Sequence, residues 1–258
     1  LDTRETEMKI SQRAQSVPAS MTVAVTTKAK ELEAQGVDVV GFGAGEPDFD
    51  TPDYIKQAAV DALHAGKTKY TAAPGMPELR QAIAHKLMRE NGLSYTADQV
   101  IVNVGGKHSV YEAMQALLDP GDDVLIPTPY WVSYPEAVKL SGAVPKVVET
   151  SNETGYKLTP DQLKDAITDK TALLILNSPS NPGGFTYTPD ELRALAAVLE
   201  GTDIYVMSDE IYEKLIYGNT EFISFAALSE DALRRTLTLN GFSKAFSMTG
   251  WRLGYVAG

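Results

Sequence analysis

Residues 171–209 read TALLILNSPSNPGGFTYTPDELRALAAVLEGTDIYVMSD, and this stretch decides the fold class. It opens on a short apolar run, TALLILN (171–177), of the length and composition of a buried strand. A polar turn containing Asn181-Pro182 follows. Thr188-Pro189 then Asp190 and Glu191 mark a helix start: a cap, a proline in the first turn, and acids facing the helix dipole. Helical spacing runs over 189–199, and DIYVMSD (203–209) reads as the next strand. Strand, helix, strand requires a crossover connection, and repeated crossovers build a mostly parallel sheet covered by helices.

The same alternation extends outward in both directions. Apolar runs at 99–105 (QVIVNVG), 123–127 (DVLIP), 144–150 (VPKVVET) and 236–240 (TLTLN) read as further strands. Segments 107–118, 133–141 and 160–167 carry helical spacing; Val110, Met114, Leu117 and Leu118 fall on one face. Toward the N-terminus an amphipathic segment (about 22–35) leads to VDVVGFGAG, a turn-rich EPDFDTP, a helix over about 52–65, and a long loop feeding a helix over 77–91. The expected organisation is an N-terminal arm with part of a small domain over 1–50, and one large α/β domain over 51–258. The expected fold is a three-layer sandwich around a mostly parallel sheet.

Composition narrows the function classes. A net charge of −11 argues against a general nucleic-acid binder, which needs a basic face to neutralise phosphates. It leaves room for one small anion, because the amides at a helix start can hold a phosphate locally. The chain has no cysteine, which removes disulfides, thiolate metal sites and cysteine nucleophiles. His64, His85 and His108 show no metal-ligand spacing, so no metal is expected. No apolar run reaches membrane-spanning length, and LDTRETEMKISQR is too charged for a signal peptide. The expected location is cytoplasmic, away from membrane and nucleic acid.

Sheets of this kind bind ligands beyond the carboxyl ends of their strands. The chemically informative residues cluster there. Gly105-Gly106-Lys107, between a strand and a helix, exposes backbone amides suited to a phosphate, or is an ordinary glycine turn. Asn177 and Asn181 end another strand, as ligand-orienting amides or as a good turn. Asp209 and Glu210 leave the core together, as a helix cap or as a carboxylate that pairs with a protonated ring nitrogen. Lys244 lies between a strand and Phe246, Met248 and Trp251; it is a surface lysine or a partly desolvated amine, and desolvation makes an amine a usable nucleophile and base. Arg252 offers a fixed guanidinium to a phosphate. GFGAG (41–45) suggests a dinucleotide fingerprint, and with it an oxidoreductase. That motif must open into a helix, whereas Glu46, Pro47, Asp48 and Phe49 follow here, so a tight turn is the better reading.

In their order along the chain these motifs resemble one family. AGEPDF, KTKYTAAPG, the glycine turn, YWVSYP, NPGG, SDEIY and SKAFSMTGWRLGY are similar to the class I aminotransferases that use pyridoxal 5′-phosphate, near the bacterial aspartate and prephenate branch. The resemblance runs over nearly the whole chain. It implies that Lys244 carries the cofactor as an imine and then moves a proton between substrate Cα and cofactor C4′. It implies that Asp209 pairs with the pyridine nitrogen, that Asn181 and Tyr212 bond the ring oxygen, and that Trp131 stacks on the ring. Gly105, Gly106, Lys107, Ser243 and Arg252 complete the cofactor-binding set, and Tyr70 reaches the phosphate of a partner subunit in a homodimer. Gly45, Trp131 and Asn181 are implied to meet the substrate. The implied reaction is amino transfer between an L-amino acid, aspartate or glutamate, and a 2-oxo acid. The alternatives are a β-lyase using the same cofactor and a truncated, non-catalytic fragment.

Two departures accompany the resemblance. The family's N-P-T-G reads Asn181-Pro182-Gly183-Gly184, a change expected to loosen that turn. Val17 precedes Pro18 where a lysine helps relatives to select acidic substrates. Members of the family also run on well beyond the equivalent of Gly258, into a segment whose second arginine grips the substrate carboxylate.

Overall fold

A computed structural model of the chain describes residues 9–19, 21–41, 43 and 45–258. The first eight residues of the charged N-terminal stretch, Ser20, and Phe42 and Ala44 of GFGAG lie outside the described residues. The chain divides into two compact units, Leu1–Glu46 and Pro47–Gly258. The first carries α1 (Gln12–Gln15) and α2 (Met21–Ala34).

The second unit follows the strand–helix alternation read from the sequence. Its elements are α3 (Asp53–His64), α4 (Pro77–Lys86), β1 (Val100–Asn103), α5 (Gly106–Leu117), β2 (Asp123–Pro127), α6 (Ser133–Ser141), β3 (Val144–Val148) and α7 (Pro160–Ala166). Then come β4 (Thr171–Asn177), α8 (Pro189–Leu199), β5 (Tyr205–Asp209), α9 (Glu230–Arg235), β6 (Thr236–Gly241) and β7 (Gly254–Ala257). Thr188 caps α8 through a reciprocal pair with Glu191, as the motif Thr-Pro-Asp-Glu predicts.

The seven strands form one sheet in the order β1-β7-β6-β5-β4-β2-β3. Strands β2 to β6 pair in parallel, and β7 runs antiparallel between β6 and β1. Successive strand residues point to opposite faces, and both faces are buried. Leu174, Leu176 and Val206 pack with Leu163 of α7 and Leu192, Leu195 and Leu199 of α8. Leu173, Ile175 and Met207 pack with Val110 and Met114 of α5 and with Tyr134 and Val138 of α6. Helices on each face of one sheet make three layers, the α/β sandwich expected. Each fully buried leucine contributes about 1.5–3 kcal/mol relative to exposure, so continuous apolar strands are what such a sheet requires.

Some elements differ from the sequence reading. The helix expected over 77–91 is α-helical only to Lys86; Leu87–Asn91 widen into a π turn that ends at Gly92 in the left-handed region. Helix α9 had no counterpart, although Ser229 accepts from the Ala232 amide as its cap, with acids at the start and Arg234 and Arg235 at the end.

Candidate active site

Topology brings the candidate residues to one edge of the sheet. β1, β4, β5 and β6 end there, and β7 begins there. The register puts Asn177 beside Asp209, and Gly254 beside both Gly241 and Asn103. The loops that leave this edge carry Gly105, Asn181, Tyr212 and Lys244.

Asp209 ends β5 on the α5/α6 face and is 4% exposed. One carboxyl oxygen accepts from the Tyr134 hydroxyl at 2.6 Å and the other from the Ile211 amide at 3.2 Å. Burial pushes its carboxyl up to about 6, and the two donors pull it back. Burial also holds Tyr134 as a phenol, well above its ordinary range, and the Asp209 charge adds to this. Asp209 therefore ionises just below neutral pH inside a dry wall. A cation placed against it would be bound far more firmly there than at a surface.

Asn177 ties the neighbouring strand end to this acid. Its side-chain amide donates to the Asp209 carbonyl at 3.0 Å, and its oxygen accepts from the Asn181 amide at 2.7 Å. Asn181 in turn donates to the Tyr212 hydroxyl at 3.3 Å. Burial raises the Tyr212 phenol, Asp209's charge adds to the rise, and the Asn181 bond offsets part of it. Lys244 Nζ lies 5.8 Å from the Tyr212 ring centroid. Asp209, Asn181, Tyr212 and Lys244 thus form one connected group.

The loop around Lys244 is held in uncommon geometry. Ser247 and Arg252 both have positive φ, at 52° and 55°, a state costing on the order of 1–3 kcal/mol for a residue with a side chain. The Thr51 hydroxyl offsets this strain: it donates to the Ser247 carbonyl at 2.5 Å and accepts from Trp251 Nε1 at 3.0 Å. Thr51, at the end of EPDFDTP, thereby fixes the segment that follows the lysine.

A cradle closes the site at the start of α5. Gly105 has φ 81°, and a Cβ there would stand 2.9 Å from the Arg252 guanidinium carbon. A Cβ on Gly254 would meet the Gly106 amide nitrogen at 2.6 Å. Glycine at these positions lets Arg252 lie on the backbone that opens the helix, where first-turn amides have no intrahelical acceptor. Guanidinium and free amides at a helix N-terminus make an anion site. Lys107 stands over Trp131, 5.0 Å from the ring centroid, and Trp131 packs edge-on to Tyr134 at 5.4 Å.

Residues 37–258 match the family described as Aminotransferase class I and II. The chain belongs to that family. It is 52% identical over 249 residues to an aspartate aminotransferase of Bacillus sp. (strain YM-2), covering 96% of this chain and 64% of that protein. It is 56% identical over 243 residues to an aspartate/prephenate aminotransferase of Cereibacter sphaeroides, covering 94% and 61%. Among solved structures, the aspartate aminotransferase from Thermus thermophilus with maleate superposes with a TM-score of 0.94 at 50% identity. That likeness covers 98% of this chain and 65% of that one. The chain therefore spans 61–65% of the length of these relatives.

The cofactor of this aminotransferase family is pyridoxal 5′-phosphate, and the residues present fit it. The Gly105–Arg252 cradle suits a phosphate, and buried Asp209 suits a ring cation. Ser243, 9% exposed, directly precedes Lys244. Tyr70 is fully exposed in the loop before α4, and Gly45 lies in the N-terminal unit. Gly183 stands where the family's threonine is missing. A Cβ there would run into the Phe185 ring, and the turn is closed by Gly184 N to Ser180 O and Ser180 N to Phe185 O, each 2.9 Å. The missing threonine leaves a tight turn. Sequence reasoning missed Tyr134 and Thr51; YWVSYP placed Tyr134 three residues after Trp131, one helical turn on, and that spacing was the available signal.

Proposed function

We propose that this chain is the cofactor-binding part of a pyridoxal-phosphate aminotransferase that moves an amino group between an L-amino acid and a 2-oxo acid. The observation that carries the reading is Asp209: a carboxylate 4% exposed, at a strand end, bonded to Tyr134 and adjacent to the Asn181–Tyr212–Lys244 group. Bound pyridoxal phosphate supplies an electron sink for the pair released when a substrate Cα–H bond breaks. Asp209 keeps the ring nitrogen protonated. Asn181 and Tyr212 donate to the ring oxygen, and Trp131 covers a ring face. Gly105, Gly106, Lys107, Ser243 and Arg252 hold the phosphate end. The Lys244 amine would hold the cofactor and, once freed from it, would carry the proton removed from substrate Cα.

The relatives' names support aspartate as a donor, and glutamate is the other acidic amino acid this reading allows. Val17 in place of lysine predicts weaker discrimination against neutral side chains. Gly45 is assigned to the substrate carboxylate through its backbone. The exposed Tyr70 and the family support a homodimer in which Tyr70 completes the neighbouring phosphate site. A cytoplasmic location fits the reaction, and residues 1–50 would then serve as arm and small-domain elements.

Borohydride reduction of the cofactor-loaded protein followed by peptide mapping tests the assignment. A pyridoxyl group is expected on Lys244 and absent in Lys244→Ala; a label on another lysine refutes it. Product analysis separates the reactions. Pyruvate and ammonia formed without a 2-oxo acid acceptor would identify a β-lyase instead.

A further inference from the structure

Tyr212 sits in a turn, Ile211–Lys214, outside any helix or strand. Locally the turn is closed by Glu213 N to Glu210 O at 3.0 Å and Leu215 N to Tyr212 O at 2.8 Å. The Ile211 amide also donates to Asp209 at 3.2 Å and Asn181 to the Tyr212 hydroxyl at 3.3 Å, but none of these bonds ties the turn to a helix. The next residue supplies what the turn lacks.

The Glu213 side chain is 6% exposed. It pairs with Lys86 at the end of α4, and its second oxygen accepts from Asn91 Nδ2 at 2.8 Å. Lys86 also donates to Asn91 Oδ1 at 2.8 Å, so the three side chains close a ring. The π turn makes this possible: i→i+5 bonding brings Asn91 round over Lys86, so both meet one carboxylate. Lys214 adds a second tether to the same stretch, through Glu90 at 2.8 Å. Glu90, Glu210, Lys214 and Tyr255 are the other titratable groups around the ring, and Glu213's charge bears on Glu210 and Tyr255.

A buried ion pair contributes little net stability compared with an apolar pair of the same volume. What this one provides is registry. Its donors are directional, both carboxyl oxygens are used, and only one placement of residues 212–214 satisfies them.

We propose that Lys86, Asn91 and Glu213 are positioning residues that set the Tyr212 hydroxyl for the cofactor's ring oxygen. The inference rests on the role given to Tyr212 above.

The test is the pH midpoint of the absorption band of the lysine-held cofactor, measured in the pyridoxal-phosphate-loaded protein. Tyr212→Phe should move the midpoint by about one pH unit, a tenfold change in the proton equilibrium. Glu213→Gln and Lys86→Met should each move it in the same direction, and Lys86→Arg should restore it. In the Tyr212→Phe background, Glu213→Gln should add no further shift, because its effect passes through the missing hydroxyl. A full, additive shift in that background overturns the proposal, as does an unmoved midpoint in both single variants. Should the single variants fail to fold, Lys86→Met combined with Glu213→Leu replaces the pair with apolar volume; a wild-type midpoint in that protein overturns it equally. If Tyr212→Phe itself leaves the midpoint unmoved, the assigned role of Tyr212 fails and the proposal falls with it, an outcome distinct from the others.

Discussion

Replacing Tyr134 with phenylalanine removes one hydroxyl from the wall behind Asp209, and the cost should depend on pH. The 2.6 Å bond is the shorter of the two contacts to a carboxyl that burial raises to about 6. A hydrogen bond to a charged group contributes about 1.5–3 kcal/mol, and one between neutral groups about 0.5–1.5. The folded pKa lies above the ordinary 3.8, so Asp209 stabilises the fold fully below about 3.8 and loses that contribution as pH rises through about 6. Removing the donor raises the folded pKa further and deepens the loss on the alkaline side. Urea unfolding of the cofactor-free Tyr134→Phe protein should therefore show a destabilisation of about 1.5–3 kcal/mol at pH 8, and about 1 kcal/mol less at pH 5. Wild type measured at both pH values removes the contribution of Glu210, which titrates in the same range. A penalty equal at pH 5 and pH 8, or larger at pH 5, refutes the view that Tyr134 acts on the ionised acid.

Gly105→Ala puts a methyl group against the Arg252 guanidinium on a backbone with φ 81°. Pyridoxal phosphate affinity by fluorescence titration should fall about 10–100-fold, the equivalent of about 1.4–2.8 kcal/mol, while unsubstituted pyridoxal is little affected. Thr51→Val removes both bonds of the hydroxyl that spans Ser247 and Trp251. Urea unfolding should show a loss of about 1–2 kcal/mol, since the Ser247 carbonyl and Trp251 Nε1, both in part-buried bonds, lose their partner. Glu210 is 1% exposed, and burial pushes its carboxyl from 4.5 up to about 7. Its contribution is present below about 4.5 and lost as pH rises through about 7, a change on the order of 3 kcal/mol. Glu210→Gln should flatten that part of the stability-versus-pH curve, and an unchanged curve would show that Glu210 stays ionised throughout.

The sheet was legible because both of its faces are buried. A strand covered on two sides must be apolar at every position, so TALLILN and DIYVMSD stand out against amphipathic helices without any long-range information. Strand β7 was harder, since it is only four residues long and opens on Gly254, where the Gly105–Gly106 backbone approaches too closely for a side chain. Lys244, Asp209 and Asn181 could be singled out because strand ends concentrate chemistry, yet each had a bland reading, evenly matched for Asn181 and the stronger one for Lys244, until its neighbours were known. Tyr134 and Thr51 could not be ranked in this way. Their roles are contacts across 75 and 196 positions, to Asp209 and to Ser247, and nothing local to either residue encodes that separation. The π turn was hidden for a similar reason: the contact its last residue makes, Asn91 to Glu213, spans 122 positions.

Opposite demands fall on neighbouring residues around Asp209. β5 runs into the turn that follows it, so Asp209 and Glu210 are buried in succession, on opposite sides of the sheet. Asp209 keeps its carboxyl toward α6, with two donors and a raised pKa near 6. Glu210 turns to the other side, where Ser208, Ser224 and the Phe225 amide converge on one of its oxygens. Two adjacent buried acids are expensive, and a strand selected for stability alone would carry neither. If Asp209 exists to meet a cation, its cost is offset only when that cation is present, and the turn must be held in place meanwhile. Glu210 and Glu213 provide that hold from within the core. On this reasoning pyridoxal phosphate should raise the stability of wild type more than that of Asp209→Asn, by ligand linkage. Unfolding temperatures with and without cofactor measure the difference directly; an equal rise in both proteins would mean that the acid is not the cofactor's partner.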